Sequence, residues 1–293
     1  MATTIIQAFR EYASNLELRD RQQSLVAQRR ANVVSVLRRR LSLHTEESKV
    51  IGSWDRHTLT RFLSEGDVDV MVILHHYSHQ HWDTSGGTIS ALDRFKAILD
   101  DAYTTTPKRR DRNCITMHFN EFRLDVVPAF KNVGYYRIPD SVRRQWVRTD
   151  PFTFAQRLTR VNTIMDGTFV PLIKMVKGWN REVGWPIRSF HLECLLYDHF
   201  SRYAKAFTYP FMLKMFFEAL PINLAVPCYD PVEGDRVDTY LDEGGRRTRS
   251  GAISKARAAA KAAAEAYEDQ DKYPVTAIRE WKALLGDFFP AYG

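Results

Sequence analysis

Cysteine is scarce: Cys114, Cys194 and Cys228 are the three that occur, far apart and with no CxxC pair. That argues against a disulfide framework and against a cysteine zinc site, and it suits a reducing cytosol. Long apolar runs are missing as well. None approaches the ~18 residues of a membrane span, and the opening MATTIIQAFREYASNLELRD turns polar too soon for a secretory leader. The patterns of a P-loop, a zinc-protease helix (HExxH) and a nucleophile elbow (GxSxG) do not occur. No internal repeat is visible. The expectation is a cytoplasmic protein with no membrane partner.

What is present is a globular composition, 44% hydrophobic and 26% charged, which excludes wholesale disorder. Lys and Arg number 42 against 35 Asp and Glu, and the resulting +7 suits a polyanionic partner, either nucleic acid or free nucleoside triphosphates. Much of the excess lies in Arg29, Arg30, Arg38, Arg39 and Arg40, and in Arg246, Arg247 and Arg249. A solvated helix face and a solvated loop are the plain alternatives for these clusters.

Ile5, Phe9, Tyr12, Leu16, Leu25, Val33, Val34, Leu37 and Leu41 recur at three- and four-residue steps, predicting one or two long helices over 5–43. A break over 45–49 leads into the apolar stub Val50-Ile51 and a Gly52-Ser53 turn. Asp67-Val-Asp-Val-Met-Val-Ile-Leu74 predicts a strand, 88–103 an amphipathic helix, and 115–119 and 122–127 two strands joined by an Asn120-Glu121 turn. From residue 140 onward the pattern is helical, over 141–148, 151–165, 170–182, 188–203, 210–220, 253–267 and 275–288. Pro221, Pro227 and Pro231 mark a loop within it. The alanine-rich 256–266 reads as a helix packed closely on a neighbour, because small side chains allow a short interaxial distance. The class is α+β, with an N-terminal helix and sheet lobe over 1–140 and a helical lobe over 141–293; the N-terminal helix is free to bridge both.

Three carboxylates carry chemistry. Asp67 and Asp69 are two residues apart at the start of an apolar strand and so share a face. Asp125 sits in Phe122-Arg-Leu-Asp-Val-Val127, on what reads as a neighbouring strand. If those strands pair, the three carboxylates repel one another unless a cation neutralises them. Hard oxygen ligands in this number suit Mg²⁺ or Mn²⁺, and two such ions can activate a hydroxyl and stabilise leaving pyrophosphate. Gly52 lets backbone approach a phosphate, and Ser53 with a helix N-terminus can bind its oxygens. The bland counterparts are a DxD pair at an ordinary strand end and a Gly-Ser N-cap. His75, His76, His79 and His81 crowd one segment, where His75 and His79 could hold zinc only on a helix; a polar loop is the expectation there.

Gly52-Ser-Trp-Asp-Arg-His-Thr58, then Asp67-Val-Asp69, then Asp125 resembles the polymerase-beta-like nucleotidyltransferase superfamily. Leu172-Ile-Lys-Met-Val-Lys177-Gly-Trp179-Asn180 and Ser189-Phe-His-Leu-Glu193 are similar to the helical-lobe signature of template-independent members, among them the oligoadenylate synthases and the cyclic GMP-AMP synthase group. Asp125-Val-Val-Pro-Ala129, Tyr136-Arg-Ile-Pro139, Trp146 with Thr149-Asp-Pro151, and Trp281-Lys-Ala-Leu-Leu-Gly-Asp-Phe-Phe-Pro290 resemble the bacterial CD-NTases, which make cyclic oligonucleotide signals in anti-phage (CBASS) defence. The likeness spans residues 30–290.

The resemblance implies a fold of a nucleotidyltransferase sheet lobe plus a helical lobe, with the active site in the cleft between them. It implies Asp67, Asp69 and Asp125 as catalytic ligands of two Mg²⁺ or Mn²⁺ ions, and Gly52, Ser53, Lys177 and Ser189 as contacts of the donor triphosphate. Phe190 would stack on a base, although it equally suits the core stripe continued by Leu192, Leu195 and Leu196. Arg56, Tyr135 and Tyr136 could touch the acceptor. Without the likeness, Lys177 reads as a surface lysine.

The implied activity joins ATP and/or GTP into a cyclic di- or trinucleotide with release of pyrophosphate, acting on a downstream cyclic-nucleotide-activated effector. Implied too are a monomer and an operon-encoded regulator or conjugation machinery acting at Gly293. DNA activation is not expected, since nothing matches the zinc-bearing insertion of the animal enzyme. The rivals are a template-independent RNA or tRNA 3′-end nucleotidyltransferase, kept alive by the arginine clusters, and a catalytically silent nucleotide- or nucleic-acid-binding module. Base choice, 2′–5′ against 3′–5′ linkage, ring size and the activating signal are not written in the residues.

Overall fold

In chain order the helices are α1 (Ile5–Asn15), α2 (Asp20–Arg38), α3 (Gly52–Asp55), α4 (His76–His79), α5 (Gly87–Ala102) and α6 (Pro151–Ile164). They continue with α7 (Phe169–Glu182), α8 (Ser189–Phe200), α9 (Tyr209–Asn223), α10 (Arg249–Asp269) and α11 (Pro274–Leu285). The strands are β1 (Leu43–Ile51), β2 (Asp67–Leu74), β3 (Lys108–Arg110), β4 (Ile115–His118), β5 (Arg123–Asn132), β6 (Tyr135–Asp140) and β7 (Gln145–Thr149). This computed structural model describes residues 2–293. Two units emerge from the packing, one formed by Leu18–Ala155 and the other by Met1–Glu17 with Gln156–Gly293. The sheet unit therefore starts inside the predicted N-terminal helical stretch and runs beyond residue 140, whereas the sequence reading set lobes of 1–140 and 141–293.

The sheet is seven-stranded, in the order β1-β2-β5-β4-β3, with β6 pairing β5 and β7. β2 runs parallel to β5 and antiparallel to β1, while β4 and β5 form the hairpin expected at Asn120-Glu121. Val68, Val70, Val72 and Leu74 of β2 point into a core shared with Leu124 and Val126 of β5, Val33 and Leu37 of α2, and Leu92 and Phe95 of α5. Burying each such side chain contributes about 1.5–3 kcal/mol, so this apolar face sets the strand register and leaves the aspartates on the other.

Two local expectations fail here. The predicted break over 45–49 lies within β1, whose polar residues Thr45, Glu46, Glu47 and Lys49 suit the edge of a sheet; the register shifts between Leu43 and Ser48, near Glu47 with φ of 49°. The helix predicted over 141–148 is instead a hairpin, in which Asp140 pairs with Gln145. Asp140 Oδ1 accepts from Val142 N and Arg143 N at 3.0 and 2.9 Å, closing the turn, and Arg144 takes a left-handed φ of 56°. Trp146 then packs on Phe130 with ring centroids 4.6 Å apart and donates Nε1 to Trp82 O at 2.7 Å. Tertiary pairing overrides the weak local helical pattern.

In the helical unit, Phe9 of α1 meets Trp281 and Phe289 edge-on at 5.2 and 5.0 Å, and Tyr12 Oη donates to Leu285 O at 3.2 Å. A Cβ at Gly178 of α7 would stand 2.5 Å from Tyr12 Oη, so glycine there admits α1 against α7. Ala252, Ala256, Ala259, Ala263 and Ala266 line the buried stripe of α10, which packs on α9 and α11 as the alanine pattern predicts. Pro221 is not in a loop as expected but in the last turn of α9, which ends at Asn223.

Candidate active site

β1 ends at Ile51, opposite Asp69 of β2, and the chain turns into the single-turn helix α3 at Gly52. Gly52 has φ of +70°, and a Cβ there would overlap Asp69 Oδ2 and stand 3.1 Å from its Cγ. Glycine is thus required twice over, by the backbone and by the carboxylate beside it. Ser53 O accepts from Thr58 N and Leu59 N at 2.9 and 3.0 Å, which fixes the turn.

The parallel register sets Asp69 opposite Asp125 and Asp67 opposite Arg123, so the three aspartates do share one face of adjoining strands. Asp67 is exposed and ion-paired with Arg123, Nε to Oδ1 at 2.5 Å. Asp125 Oδ1 is buried with no hydrogen-bond partner. Burial raises the Asp125 carboxyl above its ordinary range, opposed by the Thr116 hydroxyl from β4 and reinforced by the charge of Asp67. Cys114 lies in the same field: burial, then the charge of Asp125, pushes its thiol up.

Among the described residues no three carboxylates, imidazoles or thiolates are gathered into a ready cation cage. The donor set nonetheless fits a divalent ion: Asp125 offers an unpartnered buried oxygen, and the missing side chain of Gly52 leaves room for the carboxylate of Asp69. Mg²⁺ commonly takes one or two carboxylates, with substrate phosphates and water completing the shell.

Ser189 and Phe190 open α8, both half-buried, while Leu192 and Leu196 behind them are fully buried. Lys177 is not a surface lysine: 4% exposed, it pairs with the fully buried Glu193, Nζ to Oε1 at 2.5 Å. Arg56 lies over the Phe154 ring at 5.8 Å, Arg148 over Tyr135 at 4.7 Å, and Tyr136 meets Phe152 at 5.7 Å.

Of the crowded histidines, His75 Nδ1 meets Ser78 Oγ at 2.9 Å and His76 Nε2 meets Asp83 at 3.0 Å. His79 binds Ser42 O at 3.0 Å and stacks on Trp82. The segment is a short helix, α4, rather than the expected loop.

Four of the eight clustered arginines are ion-paired within their own units. Arg29 pairs with Glu121, Arg38 with Glu47 and Arg40 with Asp101, while Arg249 pairs with both Asp238 and Asp242. Arg123 escaped sequence reasoning because its role depends on the β2–β5 register. An arginine two residues before a strand aspartate was the available signal.

The sheet, its aspartate face and the glycine turn define a nucleotidyltransferase of the polymerase-beta-like fold. Residues 3–162 match the Second Messenger Oligonucleotide or Dinucleotide Synthetase (SMODS) domain, and the chain belongs to that family, within the bacterial CD-NTases. It is similar to the cyclic AMP-AMP-AMP synthase of Acinetobacter sp., 28% identical over 87% of this chain and 78% of that one. A Bacillus cereus protein named as a probable cyclic nucleotide synthase is 30% identical over 72% of this chain and 66% of that one. Escherichia coli MS115-1 CdnC, solved in complex with HORMA-deltaN, superposes with a TM-score of 0.71 at 16% identity, covering 98% of both chains. The chain is accordingly an enzyme of the cyclic nucleotide synthase type. No helix among the described residues is long and apolar enough to cross a membrane.

Proposed function

We propose that the enzyme condenses purine nucleoside triphosphates, ATP and/or GTP, into a cyclic di- or trinucleotide in bacterial anti-phage signalling, releasing pyrophosphate. The observation that carries this reading is Asp69 in register with Asp125 beside the Gly52 turn. Asp67, Asp69 and Asp125 would hold Mg²⁺ or Mn²⁺, two ions, whose chemistry is to polarise phosphate oxygens and offset charge on leaving pyrophosphate. Asp125, whose buried Oδ1 has no hydrogen-bond partner, would help take the proton of an attacking ribose hydroxyl. Gly52 and Ser53 cradle the donor phosphates, since backbone amides at a helix start face anions. Lys177, Ser189 and Phe190 are the proposed nucleotide contacts of the helical unit.

The named relatives support the reading: the Acinetobacter protein is a cyclic AMP-AMP-AMP synthase, and CdnC was solved with ATP. CdnC in complex with HORMA-deltaN supports an operon-encoded regulator as a partner here. A downstream cyclic-nucleotide-activated effector, conjugation machinery acting at Gly293, a monomeric state and a cytoplasmic location complete the proposal. The RNA 3′-end alternative loses ground because Arg29, Arg38, Arg40 and Arg249, half of the arginines that favoured it, are ion-paired within the protein. Purified enzyme with four radiolabelled triphosphates and Mg²⁺ or Mn²⁺ should yield a phosphatase-resistant product whose mass identifies bases and ring size. Incorporation that appears only with added RNA would overturn the proposal.

A further inference from the structure

Cys194 and Cys228, far apart in sequence, meet in the helical unit. Cys194 is buried on α8, and Cys228 is half-buried on the loop after α9, where Val237 N donates to its carbonyl at 2.9 Å. The two thiols are close enough to act on each other electrostatically, as is His191, one turn before Cys194 on α8, on Cys228. His191 Nδ1 lies 3.1 Å from Tyr240 Oη, and its buried Nε2 has no hydrogen-bond partner. A cavity of about 310 Å³ opens onto both sulfurs, walled also by Tyr197, Asp198, Val226 and Tyr229. These are the parts of an activated thiol: a nucleophile, an imidazole near it with a buried unpartnered nitrogen, a hydroxyl orienting that ring, and a path for a small molecule.

We propose that Cys194 and Cys228 form a peroxide-reactive dithiol, with Cys228 the attacking sulfur and Cys194 the resolving one. Interaction with Cys194 holds the Cys228 thiol down to about 6, and that with His191 helps, against burial and the charge of Asp238. The same interaction, with burial and the charges of Asp230 and Glu193, pushes Cys194 up, so Cys228 is the sulfur that ionises. Its thiolate attacks one oxygen of hydrogen peroxide; an S–O bond forms, the O–O bond breaks, and hydroxide leaves and is protonated to water. Cys194 then attacks the sulfenic sulfur. The S–S bond forms, the S–O bond breaks, and the hydroxyl leaves as a second water with the Cys194 proton. Two thiols lose two electrons and two protons while one peroxide becomes two waters.

The test treats the full chain with hydrogen peroxide and maps peptides without reduction. A cross-linked Cys194–Cys228 peptide, about 2 Da lighter than its separate halves and reversed by dithiothreitol, is expected, with Cys114 still free. Sulfinic acid on Cys228 with no cross-link overturns the pairing. Oxidation of Cys228 no faster than that of Cys114 overturns its reactivity. Iodoacetamide labelling of Cys228 should rise less than ~2-fold between pH 7 and 8, where an ordinary thiol gains about 8-fold. The steep profile in the wild-type protein would refute the assignment of the attacking sulfur. Cys194→Ser should leave a sulfenic acid on Cys228 that dimedone traps, and His191→Asn should restore the steep pH profile in a protein of unchanged circular dichroism.

Discussion

Replacing Gly52 by alanine separates two penalties that the structure superimposes. The first is conformational: φ of +70° forces an L side chain into the left-handed region, at a cost of about 1–2 kcal/mol. For a sheet unit the size of Leu18–Ala155 that lowers Tm by about 3–8 °C. The second is local, because the new Cβ overlaps Asp69 Oδ2 and must drive that carboxylate away by roughly 1 Å, a misplacement that costs on the order of 100-fold in rate. Gly134→Ala is the matched control: φ is +77° and nothing lies within 4 Å of the added Cβ, so it carries the first penalty without the second. Both variants should melt lower by similar amounts in differential scanning calorimetry. Initial rates of labelled-nucleotide incorporation should fall ~100-fold for Gly52→Ala and stay within about 2-fold of wild type for Gly134→Ala. If Gly52→Ala keeps a rate like that of Gly134→Ala, the bare Cα does not make room for Asp69 and the reasoning fails.

Asp125→Asn keeps the shape but removes a buried charge, so incorporation should drop by at least ~10³-fold while the thermal midpoint stays level or rises. Lys177→Met breaks a buried ion pair with Glu193 and should cost about 3–5 kcal/mol in urea unfolding, most of it recovered by adding Glu193→Leu. Ala263→Leu, on the buried stripe of α10, should cost about 1–3 kcal/mol by overpacking. Asp238 is held at about 2: burial raises it, but hydrogen bonds from Arg236 and Arg249 outweigh that. A depressed carboxyl stabilises the fold above its unfolded value near 3.8, so this contribution disappears as pH falls from about 4 to 2. Asp238→Asn should flatten the acid limb of the melting curve.

β2 was legible because alternation of charge and branched apolar residues leaves one register with a buried face. The shared face of Asp67 and Asp69 followed from the two-residue period alone. Asp125 needed a guess at pairing, which the parallel β2–β5 ladder supplies. β1 was illegible over its polar middle, Thr45 to Lys49, and β7 is five residues without alternation; each owes its form to a partner strand. Arg29, Arg38 and Arg40 read as a polyanion surface because their acidic partners, Glu121, Glu47 and Asp101, come from other elements. Lys177 looked like a surface residue for the same reason, since one charge in a helical repeat says nothing of a carboxylate on the next helix. The Cys194–Cys228 pair had no local signal at all.

The contact of Phe9 and Tyr12 with Trp281, Leu285 and Phe289 orders events on the ribosome. Helix α1 is made long before Trp281, Leu285 and Phe289, so that part of its apolar face stays uncovered until those residues follow. The sheet unit from Leu18 to Ala155 is continuous and has every strand it needs well before then. Synthesis therefore delivers the carboxylates before most of the helical unit, and a nascent chain stalled between residues 160 and 280 holds a finished sheet and an α1 that still lacks Trp281, Leu285 and Phe289.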